Sequence, residues 1–229
     1  MTTRRRRKKL ESRQKHEEQK SHRRTLVART DGQREYMRSV RCNEMTFVQG
    51  PAGTGKTHVA VGMALQLMES GMIDRIILTR PMVCVGKDIG YLPGDINQKV
   101  GPYVTPCFDE LRYYLSHHEI RGMLNGGVID IVPLSMMRGR TFNRTFVLLD
   151  EAQNAIHKEV KTLLTRIGQE SRFVITGDTD QSDLPHRDQG AFSEAIHLLK
   201  DTEGIGIVCM DREDIVRNAL IKTILEKLW

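Results

Sequence analysis

The 229-residue sequence predicts an α/β fold: a RecA-like three-layer sandwich with a mostly parallel central sheet, preceded by a basic N-terminal tail. Two observations lead to this fold class. Short apolar runs alternate with helical stretches along the chain, as in folds that connect parallel strands by right-handed helical crossovers. Most of the apolar runs are nearly continuous, which is typical of strands buried on both faces of a parallel sheet.

Six runs are predicted as strands, at residues 45–49, 75–79, 128–132, 145–149, 172–176 and 205–209. Helical patterns lie between or after them, at residues 56–70, 104–116, 154–167, 189–200 and 211–228. The stretch 80–102 contains several Gly and Pro residues and is predicted to be a long loop. Loops of this length in a compact domain are usually functional or disordered.

The charge of the chain is concentrated in its first 30 residues. They carry 12 Lys/Arg and 3 Asp/Glu, a net of +9, whereas the whole chain is 35 minus 29, or +6. Residues 31–229 therefore carry −3 and are predicted to be a single domain, with residues 1–30 as a flexible or helical basic arm. Six adjacent cations at residues 4–9 favour nucleic-acid binding by this arm, because they can displace counterions from phosphates. The alternative is a solvated tail that aids solubility.

Composition also excludes several classes of protein. The sequence contains no run of 18 apolar residues, so no transmembrane helix and no membrane partner are expected. The basic start is not followed by the apolar segment of a secretory signal. The cysteines are far apart and form no C-x-x-C pair, which argues against a zinc or redox site. They are Cys42, Cys84, Cys107 and Cys209. We expect a cytoplasmic protein with reduced thiols.

The strongest motif follows the first predicted strand, where residues 50–57 match G-x-x-x-x-G-K-[ST]. Its glycines allow backbone N–H groups to surround phosphate oxygens, and the helix that follows adds positive potential. Lys56 is expected to reach the β- and γ-phosphates of ATP, and Thr57 to offer its hydroxyl to Mg²⁺. The residues expected to bind ATP here are Gly50, Pro51, Ala52, Gly53, Thr54, Gly55, Lys56, Thr57 and His58.

Two further strands end in carboxylates at the edge of the sheet where ligands bind in open α/β folds. Asp150 follows the strand at 145–149 and is expected to hold Mg²⁺, while Glu151 is expected to orient and polarise the attacking water. The strand at 172–176 leads to Gln181, a candidate contact for the γ-phosphate or the water, with Glu151 as its candidate partner. The alternatives are solvated acids at an ordinary strand end and a simple Gly-Asp turn.

Several longer stretches make a family resemblance specific. The chain resembles the PhoH family of P-loop ATPases, which is related to the N-terminal RecA-like domain of superfamily 1 helicases. The stretches that carry the resemblance are GPAGTGKT at 50–57, LTRP at 78–81, GYLPGD at 90–95, MRGRTF at 137–142, LLDEAQN at 148–154, LLTRIG at 163–168, VITGDTDQSDLP at 174–185 and DIVRNALI at 214–221.

The resemblance implies roles for residues outside the phosphate loop and the two strand ends that carry carboxylates. Gln33 lies upstream of the loop, where related proteins place a glutamine that reads the adenine edge. Arg80 lies where superfamily 1 proteins contact single-stranded nucleic acid, and Arg217 resembles a phosphate-sensing arginine that would stabilise the transition state. Arg138 and Arg140 flank a glycine and are candidates for a nucleic-acid clamp or for an arginine finger acting on a neighbouring subunit.

These features predict an Mg²⁺-dependent ATPase that couples hydrolysis to binding, remodelling or unwinding of single-stranded RNA or DNA. The chain has room for one RecA-like lobe, so a neighbouring subunit is expected to close the ATP cleft, and the resemblance favours a homo-hexameric ring. Two alternatives stay open: an ATP-switched nucleic-acid-binding module without unwinding, and a small-molecule phosphotransferase. The acidic pair and Gln181 favour water as the acceptor over a second substrate.

Overall fold

A computed structural model describes residues 24–81 and 96–216 of the chain, with side chains in 24–81 and 105–216. The strands, in chain order, are β1 (Met45–Gln49), β2 (Arg75–Thr79), β3 (Ile129–Ile131), β4 (Thr145–Leu149), β5 (Arg172–Gly177) and β6 (Ile205–Cys209). The α-helices are α1 (Asp31–Cys42), α2 (Lys56–Glu69), α3 (Ile96–Tyr114), α4 (His117–Asn125), α5 (His157–Leu164) and α6 (Ala191–Leu199).

The six strands form one sheet in the order β3-β2-β4-β5-β1-β6, and every described pair is parallel. This confirms the predicted RecA-like α/β class. In this order β5 separates β1 from β4, and β2 lies directly beside β4. The loops that follow β1, β2, β4 and β5 therefore meet at one edge of the sheet, where the predicted site residues lie.

Helices cover both faces of the sheet, and successive strand residues point to opposite layers. On β4, Phe146 and Leu148 contact the layer made by α1 to α4, whereas Val147 and Leu149 contact the layer that contains α5 and α6. All five residues of β4 are buried. Burial on both sides explains why β1, β2, β4 and β5 have nearly continuous apolar sequences rather than alternating patterns.

The helices differ from the sequence prediction more than the strands do. Helices α1 and α4 were not predicted, and α3 begins at Ile96, inside the stretch 80–102 that was predicted to be a loop. Gly and Pro at residues 101–102 favoured a loop, yet both lie within α3. Helix α5 is shorter than the predicted 154–167. The middle of the predicted loop, at 82–95, and most of the predicted helix at 211–228 lie outside the described residues, which end after a 3₁₀ turn at Arg212–Asp214.

Helix α1 was not predicted because its sequence is mostly polar. It is marked only by its N-terminal cap and by a narrow buried stripe. The Thr30 hydroxyl caps the first turn of α1 by accepting a hydrogen bond from the backbone N–H of Gln33. Only a narrow stripe of the helix, including Tyr36 and Val40, is buried. Before α1, residues 24–29 form no regular secondary structure. Leu26 is buried against Gly62 of α2, where an added Cβ would lie 2.9 Å from the Leu26 Cβ. Leu26 of the predicted arm thus belongs to the core layer.

Within the described residues, no helix is long and apolar enough to cross a bilayer. Cys42, Cys107 and Cys209 are free thiols, and Cys84 lies outside the described residues. Cys107 is buried in α3, and burial raises the pKa of its thiol far above the ordinary value. A thiol that stays protonated is a weak nucleophile, so we assign Cys107 a packing role.

Candidate nucleotide-binding site

The predicted phosphate loop joins the end of β1 to the start of α2. Gly55 precedes the helix with φ of 84°, in the left-handed region that favours glycine, and an added Cβ would lie 2.9 Å from Gln33 Nε2. At Gly50 an added Cβ would lie 2.6 Å from the Met210 carbonyl oxygen at the end of β6. Close packing against α1 and against Met210, just after β6, therefore explains two of the three motif glycines.

Lys56 is the first residue of α2, and its side chain folds back over the loop. Its ammonium donates hydrogen bonds to the carbonyl oxygens of Gly50 and Pro51, the latter at 3.0 Å. This places the positive charge at the mouth of the loop, beside the helix N-terminus. A phosphate group there would meet the ammonium, the loop N–H groups and the helix dipole together.

Asp150 is the buried acid of the site. Its Oδ1 accepts hydrogen bonds from the hydroxyls of Thr57 at 3.1 Å and Thr176 at 2.7 Å, which join α2, β4 and β5 at one oxygen. Burial raises the pKa of Asp150 above its ordinary value of 3.8, and the Arg80 guanidinium and both hydroxyls oppose that rise. Its Oδ2 is buried and accepts no hydrogen bond from the described residues. Retaining such a group is costly for a side chain whose role is only structural.

The surroundings of Asp150 fit Mg²⁺. A buried carboxylate oxygen and the Thr57 hydroxyl are hard oxygen donors, which this ion prefers, and it commonly takes its remaining ligands from phosphates and water. Among the described residues, no group of three or more His, Cys, Asp or Glu side chains could hold a metal by itself. This donor set is the one expected where the nucleotide completes the coordination.

Glu151 turns the chain immediately after Asp150. It adopts φ of 58° and ψ of 42°, a left-handed conformation that is uncommon for a residue with a side chain. Its Oε1 accepts a hydrogen bond from Arg80 Nη2 at 2.7 Å, and its Oε2 accepts one from Gln153 Nε2 at 2.6 Å. The side chain is 41% exposed, so the carboxylate borders the cleft while both of its oxygens are held.

The loop after β5 is connected to Glu151 through Gln153 rather than through Gln181. Gln153 is buried, and its Oε1 accepts a hydrogen bond from the Asp178 N–H at 3.0 Å. The sequence analysis named Gln181 as the candidate partner of Glu151. In the structure the side-chain amide that contacts Glu151 belongs to Gln153, two residues further along the same turn. Gln181 is exposed, and its contact with the γ-phosphate stays a prediction.

Helix α3 supplies a wall of the cleft that sequence reasoning missed. His58 lies between Glu110 and Tyr114, with Nδ1 2.7 Å from Glu110 Oε2 and Nε2 2.9 Å from the Tyr114 hydroxyl. Tyr113 packs edge-on against the His58 ring, with 5.0 Å between the centroids. The position of His58 directly after the loop was the only signal of this wall in the sequence. Its partners are more than 50 residues away along the chain.

Gln33 reaches the phosphate loop from α1. Its Nε2 donates to the Thr54 carbonyl at 2.9 Å, and its Oε1 accepts from the Arg29 N–H at 2.9 Å. These two bonds fix which end of the amide is the donor. The side chain borders the cleft, but adenine recognition by Gln33 stays a prediction.

Part of the predicted ATP site lines an open cleft of about 480 Å³, whereas the predicted Gly50, Pro51, Thr54 and Gln181 do not line it. This volume suits a nucleotide-sized ligand. The cleft is lined by Arg29, Gln33, Ala52, Gly53, Gly55, Lys56, Thr57, His58, Glu110, Tyr113, Asp150, Glu151, Gly177 and Val216. Three walls can be distinguished: the loop with α2, the acidic ends of β4 and β5, and the outer wall from α1 and α3.

The predicted arginines separate into distinct environments. Arg80 contacts the two acids, which the resemblance alone did not suggest. Arg138 is exposed on a turn, and the Arg140 guanidinium lies over the Phe142 ring, 4.9 Å from its centroid. Neither lines the cleft in the part of the chain that is described, so their roles as nucleic-acid contacts stay predictions. Arg217 lies outside the described residues.

Comparison with solved structures agrees with the fold. The large terminase of a thermophilic bacteriophage, solved in complex with ADP, matches with a TM-score of 0.58 over 87% of this chain and 50% of its own. Sequence identity over that match is 10%, so the likeness concerns the fold alone.

Comparison with known sequences identifies the family. A PhoH-like protein from Bacillus subtilis (strain 168) is 42% identical over 202 residues, which is 88% of this chain and 63% of the relative. Another from Synechocystis sp. is 41% identical over 199 residues, covering 87% of this chain and 61% of the relative. The chain thus spans less than two thirds of these curated relatives. The family described as PhoH-like protein matches residues 25–228, and the chain belongs to it.

Proposed function

We propose that this protein is an Mg²⁺-dependent ATPase that couples hydrolysis to remodelling of single-stranded RNA or DNA. One observation carries the ATPase assignment: the loop at 50–57 and the acids of β4 meet through the 3.1 Å hydrogen bond between Thr57 and Asp150. These residues are 93 positions apart in sequence, so the fold alone brings them together. They combine a phosphate cradle with a metal-binding carboxylate.

Each residue of the site has a defined task in this proposal. Lys56 binds the phosphates, and Thr57 with Asp150 would hold Mg²⁺, which when bound offsets the negative charge of the phosphate oxygens. Glu151 accepts a hydrogen bond from the attacking water and orients it toward the γ-phosphate. Gln33 and the His58 wall would contact the adenosine.

The test compares two variants with the wild-type protein in steady-state ATP hydrolysis and nucleotide-binding assays. Lys56→Ala should abolish hydrolysis and weaken ATP binding, because it removes the main positive charge of the loop. Glu151→Gln should retain binding but lose turnover by about 100-fold or more, since it removes the general base but keeps the shape. Wild-type hydrolysis in Lys56→Ala would refute the assignment.

The nucleic-acid partner is supported by the charge of residues 1–30, with net +9 from 12 Lys/Arg and 3 Asp/Glu. Truncating residues 2–23 should weaken binding of single strands and flatten its salt dependence, because each phosphate contact releases counterions. Leu26 is kept in this truncation because it is buried in the core layer. Unchanged binding and salt dependence would move the partner assignment away from the arm.

A homo-oligomer is the third part of the proposal. The described part of the chain lines a cleft that is open to solvent, and we propose that a second copy covers it, in a hexameric ring. Light scattering with and without Mg²⁺-ATP tests this directly. If the protein is a monomer at assay concentrations and its ATP hydrolysis rate per chain does not rise with protein concentration, a second copy is not needed.

A further inference from the structure

In the proposed ATPase, the Glu151 carboxylate must be held in one orientation to act on water. Glu151 is 41% exposed, and a glutamate with that freedom samples several rotamers in water. A general base is effective only when it is held within hydrogen-bond reach of its water, and small misplacements are costly. Something must therefore hold this side chain without burying it.

The structure shows a donor on each oxygen of the carboxylate. Arg80 Nη2 lies 2.7 Å from Oε1, and Gln153 Nε2 lies 2.6 Å from Oε2. A carboxylate accepts about four hydrogen bonds, so two such contacts leave acceptor sites for water. The carboxylate is thus held at two points while its function as an acceptor is preserved.

Each donor is itself held in place by a different strand end. The Asp178 N–H fixes the oxygen end of the Gln153 amide, so the NH₂ end faces Glu151. Arg80 follows β2, whose last residue pairs with the last residue of β4, and the Asp150 N–H donates to the Thr79 carbonyl at 3.0 Å. The sheet register therefore places the Arg80 guanidinium beside the acids.

Arg80 also differs from the other described arginine candidates in its burial and contacts. Its side chain is 20% exposed, and its Nε lies 3.6 Å from Asp150 Oδ2. A guanidinium that faces two carboxylates from within the sheet edge is poorly placed to bind a nucleic-acid backbone. By contrast, Arg138 is exposed on its turn and lies away from the cleft lining.

We propose that Arg80 is a positioning residue that holds the Glu151 carboxylate for water activation, rather than a nucleic-acid contact. This inference rests on the proposed ATPase function. Arg80 acts through Glu151, with Gln153 as the opposing donor, and it reaches this position only because β2 and β4 are neighbours.

The test measures kcat, KM and nucleotide affinity in Arg80→Ala and Arg80→Lys at saturating Mg²⁺. Saturation matters because Arg80 also lies near Asp150. Arg80→Ala should lower kcat by about 10- to 100-fold with KM and single-strand affinity within about two-fold of wild type. Arg80→Lys should recover part of the loss, because an ammonium can still pair with Oε1 but lacks the planar fork.

A double-mutant comparison isolates the route of action. If Arg80 acts through Glu151, Arg80→Ala should have little further effect in a Glu151→Gln background. Arg75→Ala is the matched control, since it removes an ion pair with Asp130 at the opposite end of the same strand. That control should keep kcat within about two-fold, because a partly exposed ion pair contributes little and neither residue lines the cleft.

Several outcomes would overturn the inference. Unchanged or faster hydrolysis in Arg80→Ala would show that the contact is dispensable or restraining. Loss of single-strand binding with kcat preserved would restore the nucleic-acid role, and loss of nucleotide binding would make Arg80 a direct ligand. An inactive wild-type protein would be a separate result, because it would refute the proposed function and this role with it.

Discussion

Replacing Asp150 with asparagine should stabilise the nucleotide-free protein while removing its response to Mg²⁺-nucleotide. The substitution preserves the shape of the side chain. The asparagine Oδ1 can still accept the hydrogen bonds from Thr57 and Thr176. The replaced Oδ2 accepts no hydrogen bond from the described residues, and its ion pair with Arg80 Nε is long, at 3.6 Å. The main change is therefore the loss of a buried negative charge.

The sign of the effect follows from the pKa. Burial is the largest influence on Asp150 and raises its pKa above the ordinary 3.8, even though Arg80 opposes that shift. A carboxyl group whose pKa is raised in the folded state favours folding at low pH, and it costs stability once pH exceeds both pKa values. Each unit of elevation corresponds to about 1.4 kcal/mol. For a domain of this size, 1 kcal/mol moves the melting temperature by about 2–4 °C.

We expect Asp150→Asn to melt at least about 2 °C above wild type at pH 8 without nucleotide. The difference should shrink as the pH is lowered toward the raised pKa of Asp150, because the wild-type carboxyl then becomes protonated in the folded state. Adding Mg²⁺-ADP should reverse the order. A ligand at 100 times its Kd stabilises by about 2.7 kcal/mol, and the variant lacks a metal ligand.

Differential scanning calorimetry at several pH values measures both effects. Asp130→Asn is the matched control, since this acid is partly exposed on the edge strand β3 and pairs with Arg75. That control should lose an ion pair and gain no stability. The reasoning would be refuted if Asp150→Asn melted below wild type at every pH with its secondary structure intact.

Three further changes test the packing around the cleft. Gly55→Ala should weaken ATP binding and cost about 1–2 kcal/mol, because φ is 84° and its Cβ would meet Gln33; titration calorimetry and urea unfolding measure these effects. Tyr36→Phe should be neutral or stabilising by about 1 kcal/mol in urea unfolding, because the buried hydroxyl has no described partner. The pKa of Asp214 is lowered in the folded protein. Burial alone would raise it, but hydrogen bonds to the carboxylate, including one from the Gly32 N–H at 3.0 Å, outweigh that influence. Asp214→Asn should therefore cost about 0.5–1 kcal/mol at pH 7, with a smaller loss at acid pH, as thermal melts would show.

Strand prediction succeeded because burial on both faces leaves a direct mark on the sequence. The predicted runs at 45–49, 75–79 and 145–149 have the same bounds as observed strands that are almost entirely buried. The run at 205–209 also matches its strand, although β6 is only half-buried. Helix prediction was less accurate because α1 is mostly polar and is defined by its cap and a narrow buried stripe. Local turn signals misled the prediction of α3, whose Gly and Pro at 101–102 lie inside the helix.

The site shows the same division between local and long-range information. The phosphate loop was found because its geometry depends on consecutive residues, and the acids of β4 were found because they directly follow a buried run. The partners of Glu151 were not found. Gln153 lies in the same motif, but its orientation depends on Asp178 from the end of β5, and Arg80 was assigned to another role.

The sequence by itself determined the α/β class, the phosphate loop, the acidic strand end and the likeness to PhoH proteins, since each is encoded within one continuous stretch or a series of them. Only the tertiary structure decided that β2 lies beside β4, that β5 lies between β4 and β1, and that α3 forms one wall of the cleft. The physical reason is that strand order in a parallel sheet is set by packing between distant segments. A contact such as Arg80 with Glu151, 71 residues apart, has no local signal.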